Sequence, residues 1–206
     1  MYVPKHNAET DLRVIQELAA RRSFATLLAP RADGQIEIAH LPFLVDAERD
    51  RLRVHVARAN RIWRDVTDPG RRGDVVVVFA GPHGYVSPTW YESPKDDVPT
   101  WNYAVAHAHV TTPSPMTREE LIAFLDELSA QNETGHARWR FDEHPAESRE
   151  ELLAAIVGLT LPVARWEAKW KLSQNRAPAD HANVVAAFER RATPDDLEMV
   201  ELMRRR

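Results

Sequence analysis

The sequence predicts an α+β protein, mainly β: one antiparallel barrel with helices inserted and appended. Three observations carry that prediction. Six short runs between residues 23 and 111 alternate or are rich in β-branched residues, with turn signals between them. Two runs after residue 117 place Leu and Phe at helical spacing behind capping-type residues. A last long run, from about residue 159 to 173, returns to period two.

Taken in order, residues 10–22 carry Leu12, Ile15 and Ala19 as a modest apolar stripe, which predicts a first helix. Ser23–Ala29 and Gln35–Leu41 read as strands joined at Asp33-Gly34, with Pro42 stopping the second. Leu52, Val54 and Val56 alternate with Arg53, His55 and Ala57. Asp74–Phe79 is a β-branched run that predicts a strand buried on both sides. His83–Tyr91 is aromatic and interrupted by Pro88. In Thr100–Thr111, Trp101, Tyr103 and Val105 share one face and Ala104, Ala106 and Ala108 the other; the aromatic face reads as core.

Thr117 with Glu120 has the form of a capping box before Leu121, Phe124, Leu125 and Leu128. Ser148 with Glu151 repeats the pattern before Leu152, Leu153 and Ile156. In the last strand the apolar phase changes between Val163 and Ala164, which predicts a bulge or twist. Residues 181–190 and 195–204 read as helices, the second opened by Thr193-Pro194. The expected layout is a single domain over 1–206, with a helical insertion at about 117–157 and C-terminal helices at about 181–204.

Composition narrows the function classes. A chain of 206 residues with 44% hydrophobic residues has the makings of one globular domain. Without cysteine, thiolate chemistry and disulfides are excluded. Residues 1–22 are polar and charged, and no apolar run approaches bilayer length, so the expectation is a cytoplasmic protein without a membrane. A net charge of −4 argues against a broad DNA footprint, and the Arg204-Arg205-Arg206 tail is too short to change that.

Four stretches carry candidate chemistry. In Arg165–Ser173, Trp166, Ala168, Trp170 and Leu172 form an apolar wall; Lys169, Lys171 and Ser173 face the other way and lead to Gln174. Cations and short donors at a strand end suit a phosphate, while the plainer reading is a wet face of ordinary solvated charges. His55, Arg58 and Asn60 close another strand: Arg58 suits a phosphate, or is a surface cation with Asn60 as a helix cap. Tyr85, Ser87 and Trp90 lie in a stretch of aromatics and hydroxyls that suits a planar, partly polar ring, or packs a barrel corner. Thr100 and Asn102 lie beside the alanine row, where a flat ligand, a second subunit or tight packing would fit. His107 and His109 share a face, with His40 or His55 as a third ligand, but the signal is weak and no metal is expected. No Gly-rich phosphate loop, nucleophile elbow or dinucleotide fingerprint occurs, and no catalytic residue is identified.

Together these stretches resemble the PaiB family of FMN-binding negative transcriptional regulators. The matching residues are Met1–His6, Ala39–Pro42, His55–Asn60, Gly81-Pro82, Tyr85–Tyr91, Val98–Tyr103 and Lys169–Arg176. The resemblance implies a split barrel related to pyridoxamine-phosphate oxidase, with FMN at a dimer interface. It implies FMN as cofactor, a homodimer as partner state, and a small-molecule effector or substrate. The chain departs from the family pattern at Asn7, Arg61, the Tyr91–Val98 loop and Ala108-His109-Val110. No helix-turn-helix with a basic recognition helix is visible, so autonomous sequence-specific DNA binding is not expected. The competing readings are a flavin-dependent oxidoreductase on a small substrate, a split barrel holding haem or another planar ligand, and an interaction module that has lost its ligand.

Overall fold

A computed structural model describes residues 1–133 and 139–205. Arg206, the end of the cationic tail, and residues 134–138 of the predicted helical insertion lie outside the described residues. The strands are β1 (Ala8–Glu9), β2 (Phe24–Pro30), β3 (Ile36–Pro42), β4 (Leu44–Asp46), β5 (Arg51–Ala57), β6 (Val75–Val86), β7 (Thr100–Val110), β8 (Ser114–Pro115) and β9 (Ile156–Lys171). The helices are α1 (Leu12–Arg21), α2 (Ile62–Thr67), α3 (Arg118–Asn132), α4 (Ala146–Ala155), α5 (Pro178–Arg191) and α6 (Pro194–Arg204). Strand order is β3-β2-β6-β7-β9-β5-β4, with β1 and β8 also paired to β9. The path does not close on itself.

The chain divides into two compact units: residues 1–18, 79–107 and 167–206 form one, and residues 19–78 and 108–166 the other. In the second unit, β2 and β3 pair antiparallel from Phe24↔Pro42 to Pro30↔Ile36. Gly34 takes a φ of 86° in their turn, where the left-handed backbone favours glycine, and its N–H donates to the Arg31 carbonyl. β5 pairs antiparallel with residues 156–162 of β9, and Leu52, Val54 and Val56 are buried as their alternation predicts. Leu121 and Phe124 of α3 and Leu153 of α4 form a buried cluster in this unit with Leu44 of β4 and Phe141. The capping box at Thr117 is present, with Thr117 Oγ1 accepting from the Glu120 N–H at 3.2 Å.

In the first unit, Trp170, Leu172, Phe79, Phe188, Met199 and Met203 are fully buried. α5 ends at Ala192, which takes a left-handed φ of 53°. Thr193 then caps α6 reciprocally with Asp196, with Pro194 in the first turn as predicted. The buried positions of β9 switch parity, from 157, 159 and 161 to 168 and 170, on either side of the predicted phase change.

Four expectations need correction. The aromatic face of β7 is not core: Trp101 is 51% exposed, while Asn102, Ala104, Ala106 and Ala108 are buried. The reason is close packing behind the alanines: a Cβ at Gly81 would lie 2.9 Å from the Ala104 carbonyl oxygen and 3.0 Å from Leu18. β6 is not buried on both sides, since Val76 and Val78 are half-buried between Val75, Val77 and Phe79. That strand also runs through Pro82 to Val86, so part of the stretch read as irregular is strand. Ser148 is not a cap, because α4 already begins at Ala146 behind Pro145. β4 and the two-residue strands β1 and β8 were too short to carry a period.

Candidate functional site

In the first unit, β9 places Lys169 and Lys171 on one face. Lys171 Nζ donates to Thr100 Oγ1 and, at 2.8 Å, to the Trp101 carbonyl. Lys169 Nζ donates to the Tyr2 carbonyl at 3.2 Å and lies over the rings of Tyr103 and Tyr2, at 5.3 and 5.7 Å. Both ammonium groups thus meet only neutral protein atoms; neither has a carboxylate partner among the described residues. Burial pulls the Lys171 pKa below its ordinary value, and the neighbouring charges of Lys169 and Arg176 push in the same direction. Lys169 itself is only 9% exposed. The plain wet-face reading of this strand therefore does not hold at Lys169.

The chain then turns at Ser173, a non-glycine residue at φ 59°. Its hydroxyl accepts from the Asn102 amide at 3.0 Å and donates to Asn102 Oδ1 at 3.2 Å, and both residues are buried. Gln174 holds the same turn: Oε1 accepts from the Leu172 N–H, and Nε2 donates to the carbonyls of Trp170 and His6. These three side chains shape the strand end below the lysines. Arg176, which the residue reading did not single out, donates to Asp97 at 2.5 Å and lies 4.5 Å over the Tyr91 ring. Its position directly after the Lys169–Asn175 stretch was the available signal.

The aromatic candidates separate. Tyr85 is 39% exposed and meets Trp101 edge-on at 6.0 Å. Trp90 instead meets Phe188 edge-on at 5.7 Å, with Arg191 over its ring. Ser87 caps a short 3₁₀ turn by accepting from the Thr89 N–H.

His55, Arg58 and Asn60 lie in the second unit. Arg58 Nε and Nη2 donate to the Ala154 and Ile156 carbonyls, tying the end of α4 to β9. Asn60 Oδ1 accepts from the Ile62 N–H at the start of α2, as the capping alternative has it. His55 packs edge-on against Phe124, and its Nδ1 is buried without a hydrogen-bond partner. Burial holds its pKa below 6.5. Arg58, Trp63, Met116, Arg118, Glu150 and Leu153 border a cleft of about 490 Å³ in this unit.

Residues 1–165 match the family described as "Putative FMN-binding domain". The chain belongs to this FMN-binding family. Among its relatives is Protease synthase and sporulation protein PAI 2 (PaiB) of Bacillus subtilis, 31% identical over 208 residues, covering 98% of this chain and 96% of that one. Two solved structures share the fold. The FAD and heme binding protein from Mycobacterium smegmatis has a TM-score of 0.62 at 21% identity, covering 85% of this chain and 79% of that one. The flavocytochrome Anf3 from Azotobacter vinelandii has a TM-score of 0.54 at 14% identity, covering 88% and 78%. The fold is the mainly antiparallel split barrel that the family resemblance implies, its sheet unclosed.

FMN is the cofactor the residues of this family member have to fit. The lysine pair fits its phosphate: two partly buried ammonium groups on one strand face lack an anion, and a dianionic oxygen cluster supplies one. The exposed edge of Tyr85 and Trp101 fits a planar ring.

Proposed function

We propose that this chain is an FMN-binding regulatory protein whose flavin phosphate is held by Lys171 and Lys169. The observation that carries the reading is the pair of ammonium groups without a carboxylate partner among the described residues. In this reading, Thr100 Oγ1 keeps Lys171 in place, and the Asn102–Ser173 pair with Gln174 sets the turn beneath it. Tyr85 flanks the ring. Arg58 is the second phosphate candidate, a guanidinium whose Nε and Nη2 already engage two backbone carbonyls. When bound, FMN supplies one- and two-electron chemistry, and the protein supplies binding and orientation.

The proposed role is negative regulation of transcription by a cytoplasmic homodimer that does not read duplex DNA itself. Residues 1–206 act in it as one flavin-binding domain, and a small-molecule effector is the natural input. The helices weigh against direct reading of duplex DNA, since α3 carries Glu119, Glu120, Asp126 and Glu127, and α6 carries Asp195, Glu198 and Glu201. Such surfaces repel a phosphate backbone.

The test is a titration of the purified protein with FMN and with riboflavin, which lacks the phosphate. FMN is expected to bind at least about tenfold more tightly, from the charge-assisted contacts. Lys171→Ala, Lys169→Ala and Arg58→Ala are then compared, and at least one is expected to weaken FMN selectively. Equal binding of the two flavins, or parent-like FMN binding by all three folded variants, defeats the assignment. A mobility shift with the protein's own promoter at physiological salt, competed by specific but not random DNA, defeats the indirect mode of regulation.

A further inference from the structure

We propose that residues 1–6 form a strap closed over the phosphate site, which an incoming phosphate opens by taking Lys169 from Tyr2. The strap regulates the site that the flavin reading assigns, and rests on that reading. Backbone pairing sets the geometry: β1 runs antiparallel to β9 with Ala8 opposite Lys169. N-terminal to Ala8 the chain bends in a 3₁₀ turn, the Asn7 N–H donating to the Pro4 carbonyl at 2.8 Å. Tyr2 then lies over the side chain of the same lysine. Lys169 Nζ donates to the Tyr2 carbonyl at 3.2 Å and sits 5.7 Å from the centre of its ring. One residue thus holds the segment twice, by its backbone at Ala8 and by its ammonium group at Tyr2.

The two ends of the segment are held differently. Asn7 is buried, and the His6 carbonyl accepts from Gln174 Nε2 at 3.0 Å. Tyr2 is 83% exposed, and its hydrogen bond and its ring contact both go to Lys169. It makes no other hydrogen bond or ring contact among the described residues. The Met1 amino group adds an ion pair with Glu167 at 2.9 Å. Pro4, extended at φ −56° and ψ 142°, stiffens the arm between the two ends. Closure hides Lys169. At 9% exposure beneath Tyr2 and Tyr103, it meets a phosphate only once Tyr2 moves. A phosphate oxygen is charged where the Tyr2 carbonyl is neutral, so it is the stronger acceptor for an ammonium group. Phosphate and Tyr2 therefore compete for one cation, and the apparent affinity falls with the fraction of molecules in which the strap is open. Lys171 is engaged by Thr100 and the Trp101 carbonyl rather than by the strap, so it gives the phosphate a first contact. A ligand without a phosphate has nothing with which to displace Tyr2.

The experiment follows amide hydrogen exchange of residues 1–10 by mass spectrometry in the full chain, beside FMN and riboflavin affinities. Without flavin, Lys169→Ala should speed exchange of that segment about twofold or more, because the arm has lost its holder. In the parent, FMN should do the same and riboflavin should not. Inorganic phosphate should act like FMN, where chloride at equal ionic strength does not. Tyr2→Ala should bind FMN about two- to fivefold more tightly, since no ring contact favours the closed arm, with riboflavin affinity unchanged. Tyr2→Phe should behave as the parent, because a phenyl ring still meets the cation. Unchanged exchange in Lys169→Ala overturns the strap. So does FMN affinity in Tyr2→Ala that is equal to the parent's or weaker; a weaker value makes Tyr2 a wall of the flavin site instead. Failure of the flavin reading looks different. FMN and riboflavin then bind alike or not at all, while inorganic phosphate and Lys169→Ala still release the segment.

Discussion

Lys171 donates to the carbonyl of Trp101 at 2.8 Å, so the strand's most exposed aromatic ring and a partly buried ammonium group share one backbone anchor. The lysine is locked to the edge of an open aromatic face, and its charge has no carboxylate to answer it. Burial holds its pKa below 10.5, and the neighbouring charges of Lys169 and Arg176 act in the same direction.

The first prediction follows from that direction. A phosphate needs Lys171 protonated. As pH rises, the group loses its proton earlier than an ordinary lysine, so FMN affinity should begin to fall below pH 10.5. Lys171→Arg should shift that loss upward, since a guanidinium stays charged. Isothermal titration across alkaline pH checks this; a decline that is the same in parent and Lys171→Arg removes Lys171 from the phosphate site.

His55 predicts an acid-side effect on stability. Its folded pKa is depressed below 6.5 by burial, so as pH falls the unfolded chain takes up the proton first. The neutral form's contribution is therefore present above 6.5 and is lost below it. His55→Leu should flatten the slope of stability against pH between neutral and mildly acidic solution. Urea unfolding of parent and variant at matched pH values measures the difference, and parallel curves would contradict it.

The Asp196 carboxylate is 1% exposed and accepts from Arg191 Nε at 2.8 Å and from the Thr193 N–H at 3.1 Å. Those donors hold its pKa below the usual carboxylate value, with Arg191 the largest cause. Asp196→Ala removes both the ion pair and half of the capping box, and should cost about 3 kcal/mol. Asp196→Asn should cost less, because the amide oxygen can still accept. A urea midpoint for Asp196→Ala within error of the parent would refute the role.

Gly84 is a steric prediction. A Cβ there would lie 2.5 Å from Phe188 Cε1 and 2.9 Å from Arg191 Nη2. Phe188 is fully buried and cannot step aside cheaply. Gly84→Ala should therefore lower stability by about 1–3 kcal/mol. Gly70→Ala, whose Cβ meets only the Asp68 carboxylate, serves as the mild control.

The residues determined by themselves the elements whose signals are local. Alternation at Leu52, Val54 and Val56 set the buried face of β5, and Thr117 and Thr193 announced their helices by capping chemistry, because both signals act within a few residues. The motif stretches also identified the family, through residues that are close in sequence. What only the tertiary structure decided was which of two plausible faces met the core. On β7 period two offered aromatics on one side and alanines on the other. Hydrophobicity favours burying the aromatics, but Gly81 and Leu18 approach so closely that only the alanine side fits. The fate of Lys169 was equally invisible: a lysine on a polar-looking face is ordinarily solvated, and here Tyr2 and Tyr103, distant in sequence, cover it. Periodicity reports that a strand has two sides; the packing of remote segments decides which side stays wet.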